Sequence, residues 1–487
     1  MKLFGAGKPD HPFADLKEAR RVLDHVATQP LKALEELAHW HESVAAAERF
    51  KPEDRAQRLA LIDETAQPRV RKQAQDYLAA ARAAKGSRAQ ENLMWTRIHE
   101  YWRHAGQAYA RCIDSVLQGG KTLEIKVLPG VMVAALRALG QQLKWQHLRY
   151  GPIDSAVWGL LNRIYGLAEA RGVAEAQREF LKIALFSASS PEGLQPAELE
   201  IAERLIDELA GSFVLAKAAA TELPYWTDLG QSMAPARTAR APQPAPGQRF
   251  IGPGPALSKL RSLIEFVQAK HVLPSDLKLG AGQDPEAVLG VMQRLALYWA
   301  PTAPERKHRR VSMKSGMKIA HGFDGVVEAL GGGGSLDFGA GAGDSWTVEN
   351  VSAGGFGALA QQAKSEWLKV GALVAAQPDG TGNWMVGTVR RVSKVSSQEV
   401  RVGVETLSRS PSLSQFALRN ATHAQGVLLP SPGSGEPAIA LRAGVHVPGE
   451  NLEARIGERQ HVYMPQRVAE RGDDYEIVRF KEMVRES

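Results

Sequence analysis

The sequence predicts an α+β multidomain chain: an N-terminal all-α helical array, followed by a second half that ends in a small C-terminal β unit. Three observations lead there. Apolar residues recur three and four apart through roughly the first 220 positions, the spacing of one helix face. The composition turns to Pro, Ala, Gly and Arg over 233–255. Beyond 411 the apolar residues alternate with period two, in short runs bounded by turn residues.

In chain order, residues 1–230 read as the helical domain, a bundle or an irregular solenoid without a fixed repeat. Thr28 is a candidate N-cap for a helix with Pro30 in its first turn and Leu34, Leu37, Ala38 and Val44 on one face. A second helix carries Trp95, Ile98, Trp102, Ala105, Tyr109, Cys112 and Val116 in one seam, ended by Gly119-Gly120. Further helices are expected at 130–149, 154–170, 173–187 and 196–218, the last turning Leu199, Ala202, Ile206, Leu209 and Phe213 inward. Pro235, Pro242, Pro244 and Pro246 oppose regular pairing, so 231–254 reads as an interdomain linker. A helical segment at 255–300 follows, in two pieces near 255–269 and 285–299, and then a further segment at 301–410. In the β extension at 411–487, Val427-Leu428-Leu429 and Ala438-Ile439-Ala440-Leu441 flank a Pro-Gly-Ser turn. A hairpin is expected around Arg471-Gly472-Asp473.

Composition bounds the class. At 487 residues the chain exceeds one core, and its 44% hydrophobic content is enough to fold several domains. The single cysteine, Cys112, forbids an intramolecular disulfide, fits a reducing cytoplasm and is expected to pack in a core. The N-terminus lacks a signal-like apolar stretch and no run of eighteen apolar residues occurs, so neither export nor a membrane span is expected. A net charge of +7 permits attraction to nucleic acid, an acidic partner or a membrane surface without choosing among them.

The chemistry concentrates in two motifs. Arg306-Lys307-His308-Arg309-Arg310 is R-x-x-x-R, and Asn350-Val351-Ser352-Ala353-Gly354-Gly355 is N-x-S-x-x-G. An arginine fork matches a phosphate, or the O6/N7 edge of a guanine, with paired N–H donors. A short amide and a hydroxyl can hydrogen-bond a base edge or a phosphate, and glycine lets a ligand approach the backbone. One ligand carrying both groups could bridge both motifs.

This pair resembles the signature of the PilZ domain family, bacterial receptor domains for cyclic di-GMP built on a small β-barrel. Gly371-Ala372-Leu373-Val374, Trp384-Met385-Val386-Gly387-Thr388-Val389 and Val402-Gly403-Val404-Glu405 follow as its later strands do. The resemblance covers about residues 301–410. It implies an antiparallel PilZ-like β-barrel in which Arg306 and Arg310 contact phosphate and guanine, Asn350 and Ser352 bond base and phosphate, and Gly355 makes the tight turn. His308 and Arg309 are secondary candidates. The implied protein is a cytoplasmic signalling effector, not an enzyme, that binds cyclic di-GMP as ligand, needs no cofactor, and passes its output through the helical region to a protein partner.

Other chemistry finds no support. Gly119-Gly120-Lys121-Thr122 ends like a Walker A loop, but Ser115 stands where the first glycine is needed. His39 and His41 are two apart on a helix and point to different faces. The rivals are a PilZ-like interaction or scaffold protein without nucleotide binding, and a basic nucleic-acid-binding protein suggested by the Arg-Lys-His-Arg-Arg run. The latter lacks aromatics interleaved with its basic residues.

Overall fold

The computed structural model describes residues 10–82, 87–117, 126–241, 243–280, 282–305, 308–331, 344–361, 367–418, 423–430, 438–456 and 459–485. They form two compact units. The first is Met1–Arg149, Ile153–Pro191 and Pro196–Pro304; the second is Glu305–Ser487 with Tyr150–Pro152 and Glu192–Gln195.

In the first unit the helices are α1 (Leu16–Asp24), α2 (Pro30–Ala46), α3 (Pro52–Arg82), α4 (Arg88–Leu117), α5 (Leu128–His147), α6 (Ser155–Arg171), α7 (Ala174–Ala188) and α8 (Pro196–Leu209). The expected α4 seam holds: Ile98, Trp102, Ala105, Tyr109 and Cys112 are buried. Gly119-Gly120 lies outside the described residues. Thr28 does not cap α2; the cap position is Gln29, with no side-chain bond, and Pro30 begins the helix, where a missing N–H costs nothing. The helix expected over 196–218 stops at Leu209, because Val214–Ala216 instead pairs as strand β1. Phe213 remains buried as expected.

Residues 231–254 are not a linker. With β1, strands β2 (Tyr225–Asp228), β3 (Ala236–Arg237) and β4 (Gln248–Gly252) form a sheet of order β1-β4-β2-β3 within the first unit. Every residue of β4 is buried, and Phe250 packs with Leu223 and Trp226. Pro235, Pro244 and Pro246 fall in the connections, so they break the chain's regularity without excluding a sheet. Helices α9 (Ala256–Lys270) and α10 (Pro285–Trp299) match the two expected pieces and complete this unit.

The second unit holds two closed barrels. The first has strands β5 (Val311–His321), β6 (Asp344–Ser352), β7 (Gly355–Gln361), β8 (Leu373–Pro378), β9 (Met385–Lys394) and β10 (Glu399–Ser408), in the order β10-β7-β6-β5-β8-β9. Its core joins Trp346, Val348, Phe356, Val389, Val402 and Val404. An unexpected helix, α11 (Gly322–Leu330), follows β5. Residues 332–343 of that connection lie outside the described residues.

The C-terminal β unit closes into a second barrel of β11 (Ser412–Ala417), β12 (His423–Leu429), β13 (Ala438–Arg442), β14 (Leu452–Ile456), β15 (Arg459–Arg471) and β16 (Tyr475–Arg485). The β15–β16 hairpin is the expected one; the Pro-Gly-Ser turn lies outside the described residues. Phe323 and Val326 of α11 pack with residues of both barrels, including Leu373, Val386, Val427 and Tyr475. The Tyr475 hydroxyl lies 2.8 Å from the Gly371 carbonyl and 2.9 Å from Glu470. Burial, then the Glu470 charge, push its pKa up, so it stays a donor. Among the described residues no helix is long and apolar enough to cross a membrane, and no cluster of His, Cys, Asp or Glu is arranged to hold a metal ion.

Candidate functional site

The site is built on one end of β6. Trp346 and Val348 point into the first barrel, as alternation demands. The register with β7 then slips from Val348 opposite Ala358 to Asn350 opposite Gly357, which makes Glu349 the extra residue of a β-bulge. That one residue reverses the alternation. Val351 now packs against the core, and Asn350 and Ser352 face outward.

Asn350 folds its amide over Gly357: a Cβ there would lie 2.9 Å from Nδ2. Its Oδ1 is buried and has no hydrogen-bond partner among the described residues, an acceptor left without a donor. Ser352 and Gly355 pair across the turn Ala353-Gly354, and Ser352 Oγ donates to the Gly355 carbonyl (3.1 Å). Gly355 has φ 153°, and a Cβ would run into the Val404 carbonyl on β10, with its carbon only 3.0 Å away. No other residue fits this position. The Gly354 carbonyl accepts from Thr406 N at 3.0 Å, so the turn is fastened to β10 from both sides.

The arginine loop arrives at the same turn. Val311 opens β5 opposite Val351, which puts Arg310, one residue earlier, beside Ser352. The His308 ring lies over Gly354, where a Cβ would meet its Cδ2 at 2.8 Å. His308, Arg309 and Arg310 are exposed. Arg306 and Lys307 lie outside the described residues. The structure thus gathers Arg310, Asn350, Ser352 and Gly355 around one turn.

A further residue was not legible in the sequence. Arg409, just past β10, donates from Nη2 to the carbonyls of Ser352 (3.2 Å) and Ala353 (3.1 Å). No motif spacing marks it, because it comes from a strand that reaches β6 only through β7. Arg309, Arg310 and Arg409 bring three positive charges to this end of the barrel. The neighbouring carboxylates are already engaged: Glu349 with Arg401 (3.0 Å), and Glu405 with Arg390 (2.7 Å), which also holds Glu470 (2.7 Å) on the second barrel.

A model described as the N-terminal domain of the cyclic-di-GMP receptor FimW matches residues 17–220, and one described as the middle PilZ domain of that receptor matches 344–412. Residues 344–412 are a PilZ domain. The PilZ match runs from β6 to the first residue of β11, so it contains Asn350, Ser352 and Gly355, while the arginine loop lies before it. The FimW-type helical match spans α1 to α8 and ends before β2. No curated protein matches the chain.

Proposed function

We propose that this PilZ protein is a cytoplasmic receptor for cyclic di-GMP that carries no catalysis of its own and passes its output to a protein partner through the helical domain. One observation carries the reading. The outward turn at Ser352–Gly355, with an Asn350 acceptor that has no partner among the described residues, stands beside Arg310 in a chain whose two matched domains are both those of a cyclic-di-GMP receptor.

In this reading the arginine forks of Arg306 and Arg310 take phosphate oxygens and a guanine edge. Asn350 supplies an amide to a base and Ser352 a hydroxyl to a phosphate. Gly355 lets the turn close on β10 so that these groups converge. The nearby carboxylates are held in ion pairs, which spares the dianion their repulsion.

Calorimetric titration of the full chain tests the reading. Cyclic di-GMP should bind with a micromolar or tighter Kd, and GMP and cyclic AMP should compete poorly, because only the cyclic dinucleotide offers two phosphates and two guanines together. Absence of heat at ligand concentrations about a hundredfold above that Kd would leave a PilZ-like scaffold without nucleotide binding.

A further inference from the structure

The outer face of the first barrel carries a glycine that the fold does not need. Gly403 lies in the middle of β10 between the inward Val402 and Val404. Its cross-strand partners are Gly357 on β7 and Arg391 on β9. Because Gly357 also faces Asn350 on β6, Gly403 shares the outer face with Asn350.

Neighbouring glycines have structural reasons. A Cβ at Gly355 would run into the Val404 carbonyl, one at Gly387 would lie 2.5 Å from the Glu405 carbonyl oxygen, and one at Gly357 would press on the Asn350 amide. Gly403 has none of these. It is not among the positive-φ glycines, and a Cβ there would meet only the Arg391 Cβ at 3.5 Å, an ordinary contact. The adjacent register shift does not ask for it either, since the additional residue, Arg390, sits on β9. A glycine in a strand interior weakens the strand, and where no bulge or bend accounts for it, close approach by another molecule does.

We infer that Gly403 is the floor of the ligand site, a bare stretch of backbone on which one flat ring of the bound nucleotide lies. The walls fit that occupant. On one side the Asn350 amide covers Gly357, the direct partner of Gly403 and about 5 Å from it across one strand spacing, so the amide borders the edge of a ring lying on Gly403. Its buried Oδ1, without a partner among the described residues, is by chemistry an acceptor for the N–H donors of a guanine edge. Along the strand, Arg401 and Glu405 flank the floor, held aside by Glu349 and Arg390. On the far side Arg391 pairs with Glu192 at 2.9 Å. A side chain at 403 would stand where the ring lies.

This inference rests on the cyclic di-GMP reading, and one set of measurements separates the two. Wild type, Gly403→Ala and Gly403→Thr, as full chains, are melted without ligand and titrated with cyclic di-GMP. Both variants should melt at or above wild type, because the Cβ has room and both residues suit a strand better than glycine. Affinity should fall several-fold for Ala and a hundredfold or more for Thr. A folded Thr variant with wild-type affinity overturns the floor, and so does an Ala variant with wild-type affinity if Thr fails to fold. Failure of both variants to fold also overturns it, since the glycine would then serve the barrel. If wild type itself binds nothing, the receptor reading falls, and the floor with it.

Discussion

Replacing Gly355 by alanine should damage the barrel before it touches any ligand. The new methyl would overlap the Val404 carbonyl oxygen, with the carbonyl carbon at 3.0 Å and Glu405 Cα at 3.1 Å, all backbone atoms of β10 that no rotamer change can move. The φ of 153° adds the strain of a conformation that L-residues avoid. Either β10 moves away from β7 or the Ser352–Gly355 pair opens. The φ strain and the lost strand contacts together amount to roughly 2–4 kcal/mol. In a unit of this size that lowers the Tm by about 5–15 °C. Scanning calorimetry of the full chain should show one transition falling by that amount. Gly354→Ala is the internal control, because its methyl meets only the His308 side chain, which can swing away into solvent; its stability should change by less than about 1 kcal/mol. Equal melting of Gly355→Ala and wild type would refute the argument that β10 dictates the glycine.

Arg306→Ala and Arg310→Ala should each weaken cyclic di-GMP binding by about 1.5–3 kcal/mol, the scale of a charged hydrogen bond, with an unchanged apo Tm; wild-type affinity in the double variant would make the arginine run a solvated face. Arg409→Ala releases the carbonyls of Ser352 and Ala353 to water, so apo stability should move by less than about 1 kcal/mol while affinity falls roughly tenfold, and titrations at two salt concentrations check it. In the helical domain, the Asp63 carboxylate accepts from His41 (3.1 Å), Tyr101 (2.6 Å) and Tyr109 (2.5 Å). Burial alone would raise its pKa, but His41, then the two tyrosines, outweigh burial and hold it below the ordinary 3.8. A depressed carboxylate stabilises the fold above its unfolded pKa and loses that contribution as pH falls through the folded value. Wild type should therefore lose helical stability below about pH 4, and Asp63→Asn should be less stable at pH 7 with a flatter acid limb; parallel acid limbs by circular dichroism would refute this.

Much of this protein was legible in the chain because the signals are local. The three-four spacing from Trp95 to Cys112 puts those side chains on one face whatever the rest of the chain does, and five of them are buried. The two motifs likewise carry their chemistry in residue types at short spacings, and the turn at Ser352–Gly355 needs its glycine within four residues. What decides pairing acts between residues far apart. The prolines of 231–254 read as a linker because each breaks regularity where it stands, yet β4 finds β1 and β2 across the gaps and is fully buried.

The second barrel depends on a closure no local pattern encodes: β11 meets β14 through the pair Ala417 and Glu453. At the site, the sequence could name Asn350 and Ser352 but not turn them outward, since the bulge at Glu349 exists only by its register against β7. Arg409 and Gly403 escaped for the same reason. Their meaning lies in what stands across the strands from them, and hydrogen-bond register, not sequence distance, sets those neighbours.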